Sequence, residues 1–545
     1  MNCRWYQEAV IYSLDVDTFK DSNGDGIGDF EGLRQSCRYL AALGVNCLWL
    51  LPFYPSPNRD NGYDVTDYYS VDPRLGTMGD FVQFTDEAQK HKMRVMVDLV
   101  LNHTSREHPW FKEACRSRTS PFHKYYVWRY EKPPDTAHEA IFPPEQKGIW
   151  TYEKQVKAWY LHRFYSHQPD LNIDHPPVRE EMKKIMAFWL KLGVAGFRVD
   201  AVPFLVELHG MRDGKPHQAL NYDFLEEFRT FLTWVKGDAI MLAEANVGRL
   251  DQLEYYGDNN RMHMVFNFLV NQALFLSLAQ ESAQPLAASL AEMPPIPEQC
   301  QWGMFLRNHD ELSLDRLSEE QREICFSRFA PQKRMRIFAR GIRRRLAPML
   351  RGDRRRLLLA YSLLFSLPGT PVLWYGEELG MGDDLRQPGR FSVRNPMQWS
   401  SETNGGFSSA PKNKLLRPVV DTGNFSYRHV NVESAQRDPG SLLNAVEQMI
   451  RVRQQYPQFG CGTFRLLPTN RPRQILAHGC GGDENLMVAI HNFTGTAQKV
   501  ALRMDHVTRG IASDALRGEE HSITQGRCDF KMEPFGYRWV RIRRM

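Results

Sequence analysis

The chain has 545 residues, 42% of them hydrophobic and 12% aromatic, and a formal charge of +5. That is apolar material for one large core with smaller units beside it. So weak a positive balance argues against nucleic-acid and membrane-surface partners, and no apolar run approaches the ~20 residues of a spanning helix.

The first strand-like run is "AVIYSLDV", residues 9–16. "DSNGDGIGDF" follows at 21–30, with oxygen-bearing residues at the alternate positions of an EF-hand loop. Asp21, Asn23, Asp25 and Asp29 would supply side chains and Ile27 its carbonyl, but the twelfth position is Gly32, not Glu, and a strand precedes the loop. The spacing therefore predicts a structural calcium staple and no sensor.

"EGLRQSCRYLAALG" has helical spacing, and "CLWLLPFY" (47–54) and "RVMVDLVLNH" (94–103) read as the second and third strands. Residues 104–173 show no clear helix–strand unit and are rich in Trp, Tyr, Phe, His and Pro, so a small inserted domain is expected there. "PPVREEMKKIMAFWLKLG" opens with prolines and closes on Gly193, as a helix should. After it come "GFRVDAV" (196–202), the helical "NYDFLEEFRTFLTWVK", and strands at 239–246, 264–268, 303–311 and 371–378. The arginine-rich residues 335–357 read as a solvated helical face. Beyond 456 the pattern alternates with turn signals, as in an antiparallel sheet.

Eight short apolar strands alternating with helices define a (β/α)8 TIM barrel. The expected divisions are a barrel over 1–103 and 174–456, an inserted domain over 104–173, and a C-terminal antiparallel β-sandwich over 457–545. Most strands start apolar and end polar, at Asn102 and His103, Arg198 and Asp200, Glu244, and His309 and Asp310. A barrel puts its active site at those ends.

Asp200, Glu244 and Asp310 suit glycosyl chemistry, in which one carboxylate attacks the anomeric carbon and another protonates the leaving oxygen. Arg198 lies two residues before Asp200, on the same face of its strand, where it would keep Asp200 ionised. His103 and His309 could donate to sugar hydroxyls.

"DLVLNHT", "QPDLN", "GFRVDAV", "LAEAN" and "FLRNHDE" together resemble the signature motifs of the α-amylase superfamily, glycoside hydrolase family 13. The resemblance implies Asp200 as nucleophile, Glu244 as general acid/base, Asp310 as transition-state stabiliser, and Arg198, His103 and His309 as their partners. "RDNGYDVTDY" and "VRNPMQW" resemble the branch holding oligo-1,6-glucosidases and trehalose synthases. There Asp60 and Arg394 would clamp one glucose, and Tyr63 would stack on it. Longer stretches such as "WLLPFYPSP" and "RMRIFARGIRRRLAPML" are most similar to the trehalose synthases. This implies retaining α-glucosyl transfer on small α-glucosides, with maltose and trehalose interconverted and some hydrolysis. An α-glucosidase-type hydrolase, another glucosyltransferase and, more distantly, a non-catalytic binding module are the alternatives. Two stretches depart from the branch, "LHGMRDGKPHQALNYDF" after strand four and "VGRLDQ" after "LAEAN", both on the expected acceptor side. The resemblance also implies a second calcium site at Asn102, Asp170 and Glu207, and no organic cofactor.

The nine cysteines are scattered, without a C-x-x-C pair, as free thiols in a reducing compartment would be. "MNCRWYQEAV" lacks a charged-then-apolar signal pattern, so a cytoplasmic protein is expected, with a homo-oligomer compatible.

Overall fold

The computed structural model describes residues 3–207, 211–212, 215–216, 220–482, 484–504 and 507–545. Eight strands form a closed parallel barrel: β1 (Ile11–Leu14), β2 (Cys47–Leu50), β3 (Arg94–Leu99), β4 (Gly196–Val199), β5 (Ile240–Ala243), β6 (Met264–Phe266), β7 (Gln301–Phe305) and β8 (Thr370–Trp374). Each pairs with its sequence neighbours, and β8 returns to β1 with Ile11 opposite Val372. All are buried along nearly their whole length, which is why their sequences show no alternation. The strands stop where the apolar runs turn polar, so the ionisable residues stand just beyond the C-terminal ends.

The helix after the insert shows how local sequence sets these elements. Pro176–Lys191 has proline in its first turn, and Gly193 follows its end at φ +99°, a conformation that side chains with a Cβ resist. Its buried face is Val178, Met182, Ile185, Met186, Trp189 and Leu190, the helical period read from the sequence.

Within 104–173 the structure has a helix, Pro109–Arg116, and a three-stranded antiparallel sheet of Trp128–Arg129, Ala158–Leu161 and Trp150–Glu153. Its core is aromatic: Phe111 lies parallel to Trp128 and edge-on to Tyr160. Bridges from His103 to Asp170 and from Tyr126 to Leu171 fold it back onto the end of β3.

From Phe464 onward the chain forms an eight-stranded antiparallel sheet. The two layers of the expected sandwich are halves of this one sheet. Asn470 N–H donates to Ala501 O, and Arg503 N–H to Pro468 O, so its two edges meet. Alternation sorts its side chains: Val488 and Ile490 enter the sheet's own core, while Met487, Ala489 and Trp539 join the barrel core. Trp539 Nε1 donates to Ser362 Oγ at 2.9 Å on the helix Arg354–Ser366.

Two expectations are corrected. The arginine-rich segment is a solvated helical face only at its end, where Arg354 and Arg355 are exposed on the helix Arg354–Ser366; its middle is not. Arg345 is fully buried, pairs with Glu377 at 3.2 Å and donates to Tyr375 O at 2.8 Å; Arg344 pairs with Asp383 at 3.1 Å, and Arg343 donates to Gln387 O. These arginines rivet the loop after β8, where carbonyls and carboxylates outcompete water for the guanidinium. Nor are the cysteines all free, since Cys3 and Cys461 are joined as a disulfide while seven others are free and buried. A pair 458 residues apart leaves no local spacing to read. No helix among the described residues is long and apolar enough to cross a membrane.

Candidate active site

The polar strand ends converge on a cavity of about 530 Å³, within the range of small-molecule sites. Asp60, Tyr63, His103, Asp200, Glu244, Asp310 and Arg390 line it. Apolar residues are interleaved with them: Phe142 lies under Arg390 at 5.0 Å and Phe164 is edge-on to His103 at 5.2 Å, while Phe204, Val247 and Phe268 also line the cavity.

At the floor lies Arg198, 1% exposed. Its Nη1 donates to Asp98 Oδ1 and Asp200 Oδ1, each at 2.6 Å, and its Nη2 to Glu244 Oε2 at 2.5 Å. One planar guanidinium thus holds Asp200 and Glu244 on its two terminal nitrogens, with Asp98 beneath them. Two buried carboxylates and the partly exposed Glu244 share one positive charge. Burial pushes Asp98 and Asp200 up to about 6, against the pull of Arg198. Burial also raises Glu244, again opposed by Arg198 and reinforced by Asp200 and Asp310, to about 7. The cluster therefore retains a proton near neutrality, and Glu244 holds it most strongly. Ala201, next to Asp200, takes φ 50°, so the chain turns sharply there; its N–H reaches Glu244 Oε2 at 3.4 Å.

Asp310 has the opposite environment. Burial would raise it, but Arg390, His309 and Arg394 outweigh that and hold it well below the usual carboxylate range. Arg390 Nη1 lies 2.6 Å from Asp310 Oδ1, and Arg394 Nη2 lies 3.0 Å from the same oxygen. His309 Nε2 stands 3.2 Å from Asp310 Oδ2 and 2.8 Å from the Tyr63 hydroxyl, and burial keeps the ring neutral. Tyr63 lies parallel to His309 at 5.6 Å.

All nine catalytic and sugar-binding candidates gather here, with one change in who touches whom. Arg394 does not reach Asp60; it donates to His309 O at 2.9 Å and to Asp310. Arg390 bridges instead, with Nη2 3.0 Å from Asp60 Oδ1 while Nη1 holds Asp310. Gln168 donates to Asp60 Oδ2 at 3.0 Å, and His103 Nε2 faces Tyr63 O at 3.2 Å. Asp98, Gln168 and Arg390 were not singled out from the sequence. Asp98 carried a signal, being an acidic residue inside an apolar strand, in register with Arg198. Gln168 opens the "QPDLN" motif, whereas Arg390 lies in the short 3-10 helix Gly389–Val393, outside the motifs and without a periodicity to mark it. On the acceptor side, Asn246 and Val247 line the cavity, whereas 208–210, 213–214 and 217–219 of the other divergent stretch lie outside the described residues.

In the loop at 21–29, Asp21 Oδ1 accepts from Asn23 and Gly24 N–H, Asn23 Oδ1 from Asp25 N–H, and Asp25 Oδ1 from Ile27 N–H. Asp29 Oδ2 accepts from Ser22 N–H, while its Oδ1 caps the next helix. The donor types are the hard oxygens calcium takes, but each carboxylate is turned to N–H groups of its own loop, and Asp21, Asp25 and Asp29 do not bring oxygens within 4.8 Å of one another in this structure. The three residues of the second expected site, Asn102, Asp170 and Glu207, line one cavity together. Asn102 does donate to Asp170 at 3.1 Å, but Arg163 Nη2 stands 2.5 Å from Glu207 Oε2, so a guanidinium already neutralises that carboxylate. No cation is assigned there.

An eight-stranded barrel with three carboxylates at its strand ends defines an α-amylase-type enzyme, and the chain belongs to that family: the alpha-amylase catalytic-domain model matches residues 11–462. Over nearly its whole length the chain is similar to trehalose synthases. It is 41% identical over 539 residues to trehalose synthase of Thermus thermophilus, covering 98% of this chain but 55% of that protein, so it spans about half that relative's length. It is also 41% identical over 556 residues to the trehalose synthase/amylase of Mycolicibacterium smegmatis, covering 99% of this chain and 93% of that protein. Trehalose-6-phosphate hydrolase of Bacillus licheniformis shares the fold, with a TM-score of 0.80 at 24% identity over 99% of this chain and all of that one.

Proposed function

We propose that this protein transfers α-glucosyl groups between small α-glucosides with retention, interconverting maltose and trehalose with side hydrolysis. The observation that carries the reading is the Asp60–Arg390–Asp310 bridge beside the Arg198 cluster. In this reading the bridge stands behind one sugar ring, an arrangement that suits a disaccharide better than a long chain.

In the proposed cycle Asp200 attacks the anomeric carbon of the non-reducing glucose while Glu244 gives its proton to the departing glycosidic oxygen. Arg198 favours the ionised form of Asp200, the weaker proton holder of the two. Asp310, kept anionic by Arg390 and Arg394, stabilises the positive charge developing on the ring. Glu244, now ionised, takes the proton of the incoming hydroxyl as that oxygen displaces Asp200. If the incoming group is the anomeric hydroxyl of the released glucose, the product is trehalose; if it is water, glucose. In this reading the aromatic side chains of Phe142, Phe164 and Phe204, which line the cavity among its polar groups, limit the access of water.

Incubation with maltose, followed by NMR, tests the reading. Trehalose exceeding free glucose is expected; glucose alone would favour the α-glucosidase alternative, and no turnover of any α-glucoside would favour a binding module. The pH dependence is a further test. kcat/KM should rise as Asp200 ionises near pH 6 and fall as Glu244 loses its proton near pH 7, giving a narrow bell with its maximum between them. A flat profile from pH 5 to 9 would remove the assignment.

We also propose that calcium closes the loop through Asp21, Asn23, Asp25, Asp29 and the Ile27 carbonyl, as a structural ion outside the chemistry. Chelation should lower the melting temperature by several degrees and re-addition restore it; an unchanged melting curve would exclude a bound ion. A cytoplasmic setting accords with the seven unpaired cysteines, against which the Cys3–Cys461 disulfide counts.

A further inference from the structure

The cysteines fall into two chemical sets. Cys37, Cys47, Cys115, Cys300, Cys325, Cys480 and Cys528 are buried, and burial pushes each thiol up to about 12. Such groups carry almost no thiolate at neutral pH and neither react nor bind metal. Cys3 and Cys461 are only half-buried, and they are joined. A carboxylate stands with them: one ligand atom each of Cys3, Cys461 and Glu8 lies within 4.8 Å of the others, the only such trio of Cys, His or acidic groups among the described residues.

The surroundings fix both segments. Tyr6 OH donates to Gln299 O, Gln7 Nε2 to Glu298 O at 2.9 Å, and Thr370 Oγ1 to Tyr6 O at 2.5 Å. From the other side, Gln301 Nε2 donates to Gly460 O at 2.6 Å, and a Cβ on Gly460 would sit 2.2 Å from Gln7 O. The trio is therefore mounted on rigid backbone at the entry to β7 and β8, at the opposite end of the barrel from Asp200 and Glu244.

We propose that Cys3, Cys461 and Glu8 form a redox-gated site for a soft divalent cation of the zinc type. In the oxidised protein the sulfurs close as the disulfide and offer no ligand. A dithiol reductant gives two electrons and two protons, leaving its own disulfide and two thiols on this chain. The cation then displaces the two thiol protons, and two thiolates, the Glu8 carboxylate and a water complete a tetrahedral set. A disulfide oxidant reverses the exchange and expels the ion. Either state ties the N-terminal segment to the helix that leads into the C-terminal sheet, so occupancy acts on stability and leaves turnover alone.

The test uses the full chain, reduced anaerobically or oxidised, loaded with zinc and desalted. One zinc per chain is expected in the reduced protein and none in the oxidised protein or in reduced Cys461→Ser. Cadmium should give a thiolate charge-transfer band in the same pattern. Turnover of an α-glucoside by Cys461→Ser and Cys3→Ser should match the parent, showing that both variants fold. Zinc absent from the reduced parent, or equal in parent and variants, overturns the site. Peptide mapping of the oxidised protein should recover the Cys3–Cys461 cross-link; its absence overturns the gating.

Discussion

Asp200→Asn should lower turnover of maltose by about 10^4-fold or more, because the replacement amide cannot form the glucosyl intermediate while the rest of the site stays in place. The same variant should melt at the parent temperature or above it. Burial and the neighbouring Asp98 and Asp310 raise the folded-state value of Asp200 above its ordinary one, so its negative charge opposes folding at neutral pH. Loss of activity with equal or greater stability separates a chemical role from a structural one. Retained turnover would mean that the attacking group is another residue.

Arg198→Met should have the larger effect on stability. It leaves the buried Asp98 and Asp200 and the partly exposed Glu244 without their shared cation, and breaking a buried ion pair costs about 3–5 kcal/mol. The three carboxylates would then hold protons more tightly than in the unfolded chain. Their penalty is absent at acid pH and grows as pH rises through the unfolded carboxylate range toward the raised folded values. Urea unfolding at pH 5 and pH 7.5 reads this directly, with the larger deficit expected at pH 7.5. An equal deficit at both would mean that Arg198 acts through packing on Trp49 and Tyr63 rather than through charge.

The barrel was legible because its strands are buried on both faces and flanked by amphipathic helices, so period and length alone separate them. The three carboxylates proposed to carry the chemistry were legible because charge at the end of an apolar run has few structural explanations. What escaped was set by distance along the chain. Arg390 and Arg394 are four residues apart in one loop, and nothing local says which of them turns toward Asp60. The arginines at 343–345 resembled a surface because their carbonyl and carboxylate partners lie 30 or more residues downstream. The curl of the C-terminal sheet depends on contacts between its edges, which alternation does not encode.

The bridge from Asp60 to Arg390 spans 330 residues. In the folded chain the same carboxylate also receives Gln168 from the insert at 3.0 Å. Contacts of such sequence separation form late, because the entropy of ordering the intervening chain must be offset first. During refolding, recovery of catalytic turnover should therefore lag recovery of tryptophan burial, and a chain still being synthesised gains its sugar pocket only after nearly three quarters of its length has emerged.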